Sequence, residues 1–188
     1  MKRCKWIDLK SELYIEYHDH EWGIPSYDDP YLFEMLILES FQAGLSWITI
    51  LKKRENFRIA FDDFDVFKIS QYNEQKINEL MMNQGIIRNR LKIRAAIHNA
   101  TIFIAIQKEF GSFSNYIWKF TNYKVIKNKD DKSKTTSSLS DEISSDLKKR
   151  GMKFVGSVII YSYLQAIGVI YSHEEECFLY KKQQKVHH

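Results

Sequence analysis

Two cysteines and two histidines make the first chemical suggestion. Cys4 and Cys177 are the only cysteines in the 188-residue sequence, His18 lies 14 positions after the first, and His173 lies four before the second. Thiolate and imidazole are preferred ligands of tetrahedral Zn2+, and a Cys2His2 set fills its coordination. One ion held by these four would staple distant segments together and leave the chemistry to the middle of the chain. Spacing leaves two other readings open: a disulfide, or two unrelated buried thiols. The start, Met1-Lys2-Arg3-Cys4-Lys5-Trp6, is charged with no apolar run behind it. That predicts a cytoplasmic chain without a secretory leader, where disulfides are rare. His173 and Cys177 at i, i+4 share a helix face or a turn end. Asp19 is placed to accept from the ring of its neighbour His18 and so orient a metal ligand.

Glu39 is the second suggestion. On a helical wheel it shares a side with Leu32, Met35, Leu36 and Ala43, whereas Glu34 falls opposite, where a charge is expected. A carboxylate on an apolar face must be paired, be protonated or face a cavity. Tyr14, Tyr17, Trp22 and Trp47 flank it in sequence. Ring faces plus one carboxylate suit a flat, electron-poor heterocycle, which stacks on the rings while its N–H edge donates to the acid. A stacked base gains about 1–3 kcal/mol, and a cationic one gains more. The competing reading is plain core packing around a carboxylate that ties down a neighbouring group.

The remaining chemistry is cationic. Gln84-Gly85-Ile86-Ile87-Arg88 resembles the turn of a helix-hairpin-helix, which offers backbone N–H groups to a phosphate. Arg90, Lys92 and Arg94 follow it. Lys148-Lys149-Arg150 is a second basic cluster. Both are equally readable as solvated faces. No Gly-rich dinucleotide or phosphate loop, nucleophile elbow or zinc-protease signature occurs.

The elements that must position these residues read as helices. Only 2 Pro and 7 Gly punctuate the chain, against 27 aromatic residues (4 Trp, 11 Tyr, 12 Phe), which favours long helices over turn-rich sheet. No run approaches the roughly 18 apolar residues of a membrane span. A net charge of +4 permits a nucleic-acid partner without demanding one. Pro30 after Asp28-Asp29 starts a helix that is apolar on nearly every face from Tyr31 to Phe41, hence central. Gly44 turns the chain. The stretch from Ser46 to Phe67 is predicted to be largely helical, as are 74–83, 89–109, 139–150 and about 155–170. Segment 124–138, polar and charge-rich, reads as a mobile loop, and His187-His188 as the remnant of a tag.

These residues also resemble a family. Arg3-Cys4-x-Trp6, Tyr14-Ile15-x-Tyr17-His18-Asp19-x-Glu21-Trp22-Gly23, Leu38-Glu39, Gln42-Ala43-Gly44-Leu45-Ser46-Trp47, Leu51-Lys52-Lys53-Arg54-Glu55-Asn56, Gly85-Ile86-Ile87-Arg88, Lys148-Lys149-Arg150-Gly151 and His173-x-x-x-Cys177 are similar, in order, to the DNA-3-methyladenine glycosylase I (Tag) family. The resemblance implies an all-α helix-hairpin-helix glycosylase fold with one structural Zn2+ on Cys4, His18, His173 and Cys177, joining the N- and C-terminal segments. Two lobes are expected, about 30–115 and about 1–29 with 116–188. The implied reaction is hydrolysis of the N-glycosidic bond of 3-methyladenine in alkylated double-stranded DNA, by a monomeric, monofunctional enzyme. Glu39 would recognise the base, Tyr17 and Trp47 would stack on it, and Trp22 and Trp6 would stand nearby. Leu45 would approach the gap left in the duplex. Gly85, Arg88, Lys149 and Arg150 would meet the DNA backbone. Ser40-Phe41 departs from the family pattern and is expected to reshape the pocket edge. Two rivals remain: a non-catalytic, zinc-stabilised module that senses alkylated bases, and a hydrolase that uses the metal, against which four protein ligands argue.

Overall fold

The computed structural model describes residues 1–42, 44–128 and 134–180. His187 and His188 lie outside them. Among the described residues the chain is mostly helical: α1 (Glu12–His20), α2 (Asp29–Gln42), α3 (Trp47–Ala60), α4 (Val66–Ser70), α5 (Glu74–Met82), α6 (Arg90–Phe110), α7 (Phe113–Lys119), α8 (Ser138–Lys149) and α9 (Ser157–Ala166). Two short strands, β1 (Ile126–Lys127) and β2 (Ile170–Tyr171), pair in parallel.

Helix α2 is central, as its composition requires. Every residue from Leu32 to Phe41 is buried, and the helix packs against α3, α6, α7 and α9. Its first residue, Asp29, also anchors α7, accepting from the amides of Phe113 and Ser114 and from the Gln107 side chain. At the other end Lys92 is not part of a basic surface. It is buried on α6 and donates to the Phe41 carbonyl at 2.9 Å, satisfying a helix end that lacks donors of its own.

Three sequence expectations change. The stretch after Phe57 is not one helix. Asp62, Asp63 and Phe64 take left-handed backbone (φ 51°, 54° and 56°), a region aspartate tolerates, before Asp65 caps α4 through the Phe67 and Lys68 amides. The segment 124–138 is not wholly loop. Ile126–Lys127 is β1, and Ser137 caps α8 in a reciprocal bond pair with Ser140, while 129–133 lies outside the described residues. Finally α9 stops at Ala166, and Gly168 turns the chain at φ +75°. A Cβ there would stand 2.4 Å from the Ile24–Pro25 backbone, so only glycine lets the amino-terminal segment lie across the end of α9.

Candidate active site and metal-binding cluster

Four elements converge on one cavity. Ser11 caps α1, which carries Tyr14 and Tyr17. Trp22 follows in the turn behind it. Glu39 lies one turn from the end of α2, and Trp47 opens α3. Trp6 comes from the segment before α1. Together with Gln42, Ser162 and Gln165 they line a cavity of about 330 Å³, within the range of small-ligand pockets.

Glu39 stands beside a hollow and is not sealed in the interior. It is 3% exposed and lines that cavity, the one carboxylate to do so. Its Oε2 has no hydrogen-bond partner, and neither has the buried indole Nε1 of Trp47. A buried acceptor and a buried donor left unsatisfied on one cavity wall are what a ligand with complementary edges would complete. Burial pushes the Glu39 carboxyl up to about 8. The ring walls are held edge to face: Trp6 meets Tyr14 at 5.2 Å and Trp22 at 5.0 Å, while Tyr17 and Trp47 lie 5.5 Å apart, tilted by 49°.

Glu34 does not face solvent. Helix α2 is covered on all sides, so the wheel position opposite Glu39 is also interior. Arg54 of α3 covers it, donating to Glu34 at 2.6 Å and to both Glu21 oxygens at 2.7 and 2.8 Å. Arg58 adds a second bond to Glu34, and Tyr31 donates to Glu21. Arg54 thereby ties together the turn bearing Trp22, the helix bearing Glu39 and the helix opened by Trp47. Ser40 and Phe41 leave the pocket edge untouched. Ser40 bonds back to the Ile37 carbonyl, and Phe41 packs on Phe57 and Phe61 in the core.

Cys4, His18, His173 and Cys177 meet in one buried cluster, their donor atoms all within 4.8 Å of one another. Both thiols are free. His173 and Cys177 belong to a turn, whose Cys177 amide donates to the Glu174 carbonyl. The hydrogen bonds around the cluster suit a metal. His18 donates from Nδ1 to Asp19 at 2.7 Å, which turns Nε2 toward Cys177. His173 donates from Nε2 to the Trp22 carbonyl, which turns Nδ1 toward both sulfurs. Asp19 is itself held by a bidentate Arg3, and the Glu174 amide donates to the Cys4 sulfur. Each ring thus presents a lone pair inward, with its tautomer fixed from behind. Burial lowers His173 to about 4 and keeps it neutral, as ligation requires, and raises Cys4 to about 12. The cluster can hold a metal ion, and its donor set fits zinc.

The sequence profile of the methyladenine glycosylase family matches residues 6–180. The chain belongs to the methyladenine glycosylase family. It is 44% identical to DNA-3-methyladenine glycosylase 1 of Escherichia coli K12, over 96% of this chain and 97% of that one. It is also 44% identical to DNA-3-methyladenine glycosylase of Haemophilus influenzae, over 93% and 96%. A crystal structure of 3-methyladenine DNA glycosylase I superposes with a TM-score of 0.90 at 45% identity, covering 94% of this chain and 98% of that one. The Staphylococcus aureus glycosylase, whose structure addresses 3-methyladenine recognition, superposes at 0.86 and 39% identity, over 90% and 92%.

In this family member the surface residues singled out by sequence fall in different settings. Leu45 is 40% exposed in the loop between α2 and α3. Arg88 and Lys149 are exposed. Gly85 is pressed against Asn56, where a Cβ would meet side-chain atoms at 3.0 Å, and its own N–H is taken by Asn83. Arg150 is engaged with Glu109 and Asp146 and lies over the Phe110 and Tyr116 rings. Arg90 and Arg94 are paired with Glu74. Gln42, Ser162 and Gln165 were not foreseen in the wall. The signal for the last two was available: they are polar positions three apart in an otherwise apolar helix.

Proposed function

We propose that this chain is a monofunctional DNA glycosylase that hydrolyses the N-glycosidic bond of 3-methyladenine in alkylated DNA. The observation that carries the reading is the unpartnered Glu39 carboxylate inside the ring-lined cavity. It agrees with the names of the family members that the chain resembles over nearly its whole length.

The alkylated base is swung out of the duplex, at a cost lowered by its weakened pairing, and enters between the rings of Tyr17 and Trp47, with Trp6 and Trp22 closing the side. Glu39, ionised on binding, accepts from the base's N–H edge and offsets its positive charge, while the Trp47 N–H has a ring nitrogen to meet. Cleavage sends the glycosidic electron pair into the base, which leaves neutral, and water adds to the sugar carbon and loses a proton. The base is already a good leaving group, so binding, orientation and charge supply the catalysis. Leu45 fills the gap in the stack. The Ile86, Ile87 and Arg88 amides, with the Arg88 and Lys149 side chains, hold phosphates of double-stranded DNA, and Gly85 brings the hairpin close. Arg150, with its guanidinium committed, supports Lys149 more than it contacts DNA.

Cys4, His18, His173 and Cys177 would hold one Zn2+. When bound it supplies structure alone, since four protein ligands leave no open position. The lobes are read as about 30–115 and about 1–29 with the remainder, and the protein as a monomer. Release of free 3-methyladenine from methylated duplex, measured for the native protein and for Glu39→Gln, tests the reading. Release by the native protein alone is expected, and equal release by both would remove Glu39 from its role. DNA binding without any release would favour a sensing module instead.

A further inference from the structure

A second cavity adjoins the first. It measures about 490 Å³ and shares Trp6, Trp22, Ser162 and Gln165 with the base pocket. Its other walls differ in kind from every neighbouring hollow. Lys5 and Lys134 line it, with a single acid, Glu174. The base pocket and three further cavities have no lysine in their linings. The cavity beside Phe33 and Phe67 carries Asp29, Asp63 and Asp65, another carries Glu79, and another Glu21 and Asp28.

The floor is a set of amides and hydroxyls locked to one another. Gln165 donates to the Ser172 hydroxyl at 2.8 Å, and Asn128 donates to the Tyr161 hydroxyl at 2.6 Å and to Ser172 at 3.3 Å. Gln165 is therefore held in one orientation by its amide nitrogen. Tyr161, Ser162 and Gln165 all stand on α9, so one rigid helix face serves both cavities. Trp6 and Trp22 line both.

We infer that this second cavity is a nucleotide subsite for the alkylated strand, taking the sugar and phosphodiester next to the base held by Glu39. The inference rests on the glycosylase reading above. Its chemistry is that of a strand backbone: lysine ammonium groups for phosphate, hydroxyl and amide groups for the deoxyribose oxygens, and indole faces for an adjoining base. A base in the first pocket is covalently tied to a sugar and two phosphates, and these must lie against whatever adjoins that pocket. Here that neighbour is the lysine-lined hollow.

Val158 and Lys134 line this cavity and not the base pocket, and Val158 is half exposed, so both positions accept substitution without disturbing the core. Val158→Trp fills the hollow, and Lys134→Glu reverses one of its charges. The probes are free 3-methyladenine, followed by tryptophan fluorescence, and a methylated duplex oligonucleotide, followed by base release. Both variants should bind the free base within twofold of the native protein. Val158→Trp should raise KM for the duplex about tenfold. Lys134→Glu should raise it about fivefold and flatten the logarithmic salt dependence by about one, as loss of one phosphate contact does. Native KM and salt slope in both variants would overturn the subsite. Failure of the native protein itself to release base would instead overturn the glycosylase reading.

Discussion

Replacing Glu39 by glutamine should stabilise the free protein while abolishing base recognition. Glu39 is buried with no cation beside it, and burial raises its carboxyl from an ordinary 4.5 to about 8. The folded chain therefore keeps that proton at pH values where the unfolded chain has lost it. The associated stability is fully present below pH 4.5, falls as pH rises, and is gone above about 8. Each pH unit is worth about 1.4 kcal/mol. Over the interval the loss approaches 5 kcal/mol, and about 3 kcal/mol of it has accrued at pH 7. Glutamine has the same shape and no proton to lose, so its stability lacks this slope. Urea unfolding of both proteins at pH 5, 7 and 9 should show nearly equal stability at pH 5, a gap of about 3 kcal/mol at pH 7, and a wider one at pH 9. For a domain of this size 3 kcal/mol is roughly 6–12 °C in Tm. Other titrating groups are common to both proteins and cancel in the difference. The same proton shapes the reaction: kcat/KM for base release should climb with pH until about 8, as the free protein's carboxyl ionises. Parallel stability curves across this range would refute the reasoning, because they would mean that Glu39 is already ionised in the folded chain.

Cys177→Ser should release the metal and lower Tm by roughly 10 °C, since a clip between such distant positions restrains a very long loop, on the order of 4–5 kcal/mol by analogy with a cross-link; metal analysis and calorimetry check both. Arg54→Met strands Glu21 and Glu34 and should cost about 3–5 kcal/mol, with part of it recovered in the Arg54→Met/Glu34→Leu double variant; urea titration reads the difference. Arg88→Ala should weaken binding to duplexes of any sequence and reduce the logarithmic salt slope by about one, with free-base affinity unchanged in fluorescence titration.

Legibility in the sequence followed the physics of each residue. Helix α2 announces itself through Pro30 and an apolar run on nearly every face, α5 and α6 through the Gly85 turn between them and the helical spacing that follows it, and α8 through the charges at its two ends. Helices α1 and α7 are short, and the Ser11 and Ser112 caps that start them precede mixed polar and apolar runs. Strands of two residues have no period to detect. Glu39 stood out because a lone acid on an apolar helix needs a reason. The same wheel misjudged Glu34, since a wheel reports one helix and not what covers it; Arg54 arrives from twenty residues away. Lys92 looked basic and exposed for the same reason, and it is an internal cap. The two cysteines and two histidines of the cluster were legible by type. The hydrogen bonds that fix their tautomers were only half so: Asp19 adjoins His18 in sequence, whereas the Trp22 carbonyl meets His173 only in the folded chain.

The Cys2His2 cluster and the cavity beside Glu39 adjoin through two indoles. The His173 ring stands 4.7 Å from the Trp22 ring, and the His18 ring 5.7 Å from that of Trp6. Trp22 thus leans on a ring from the far end of the sequence, whereas Trp6 is backed by His18 of α1. A change that unseats the turn at 173–177, Cys177→Ser among them, should therefore loosen Trp22 in the cavity wall together with the cluster.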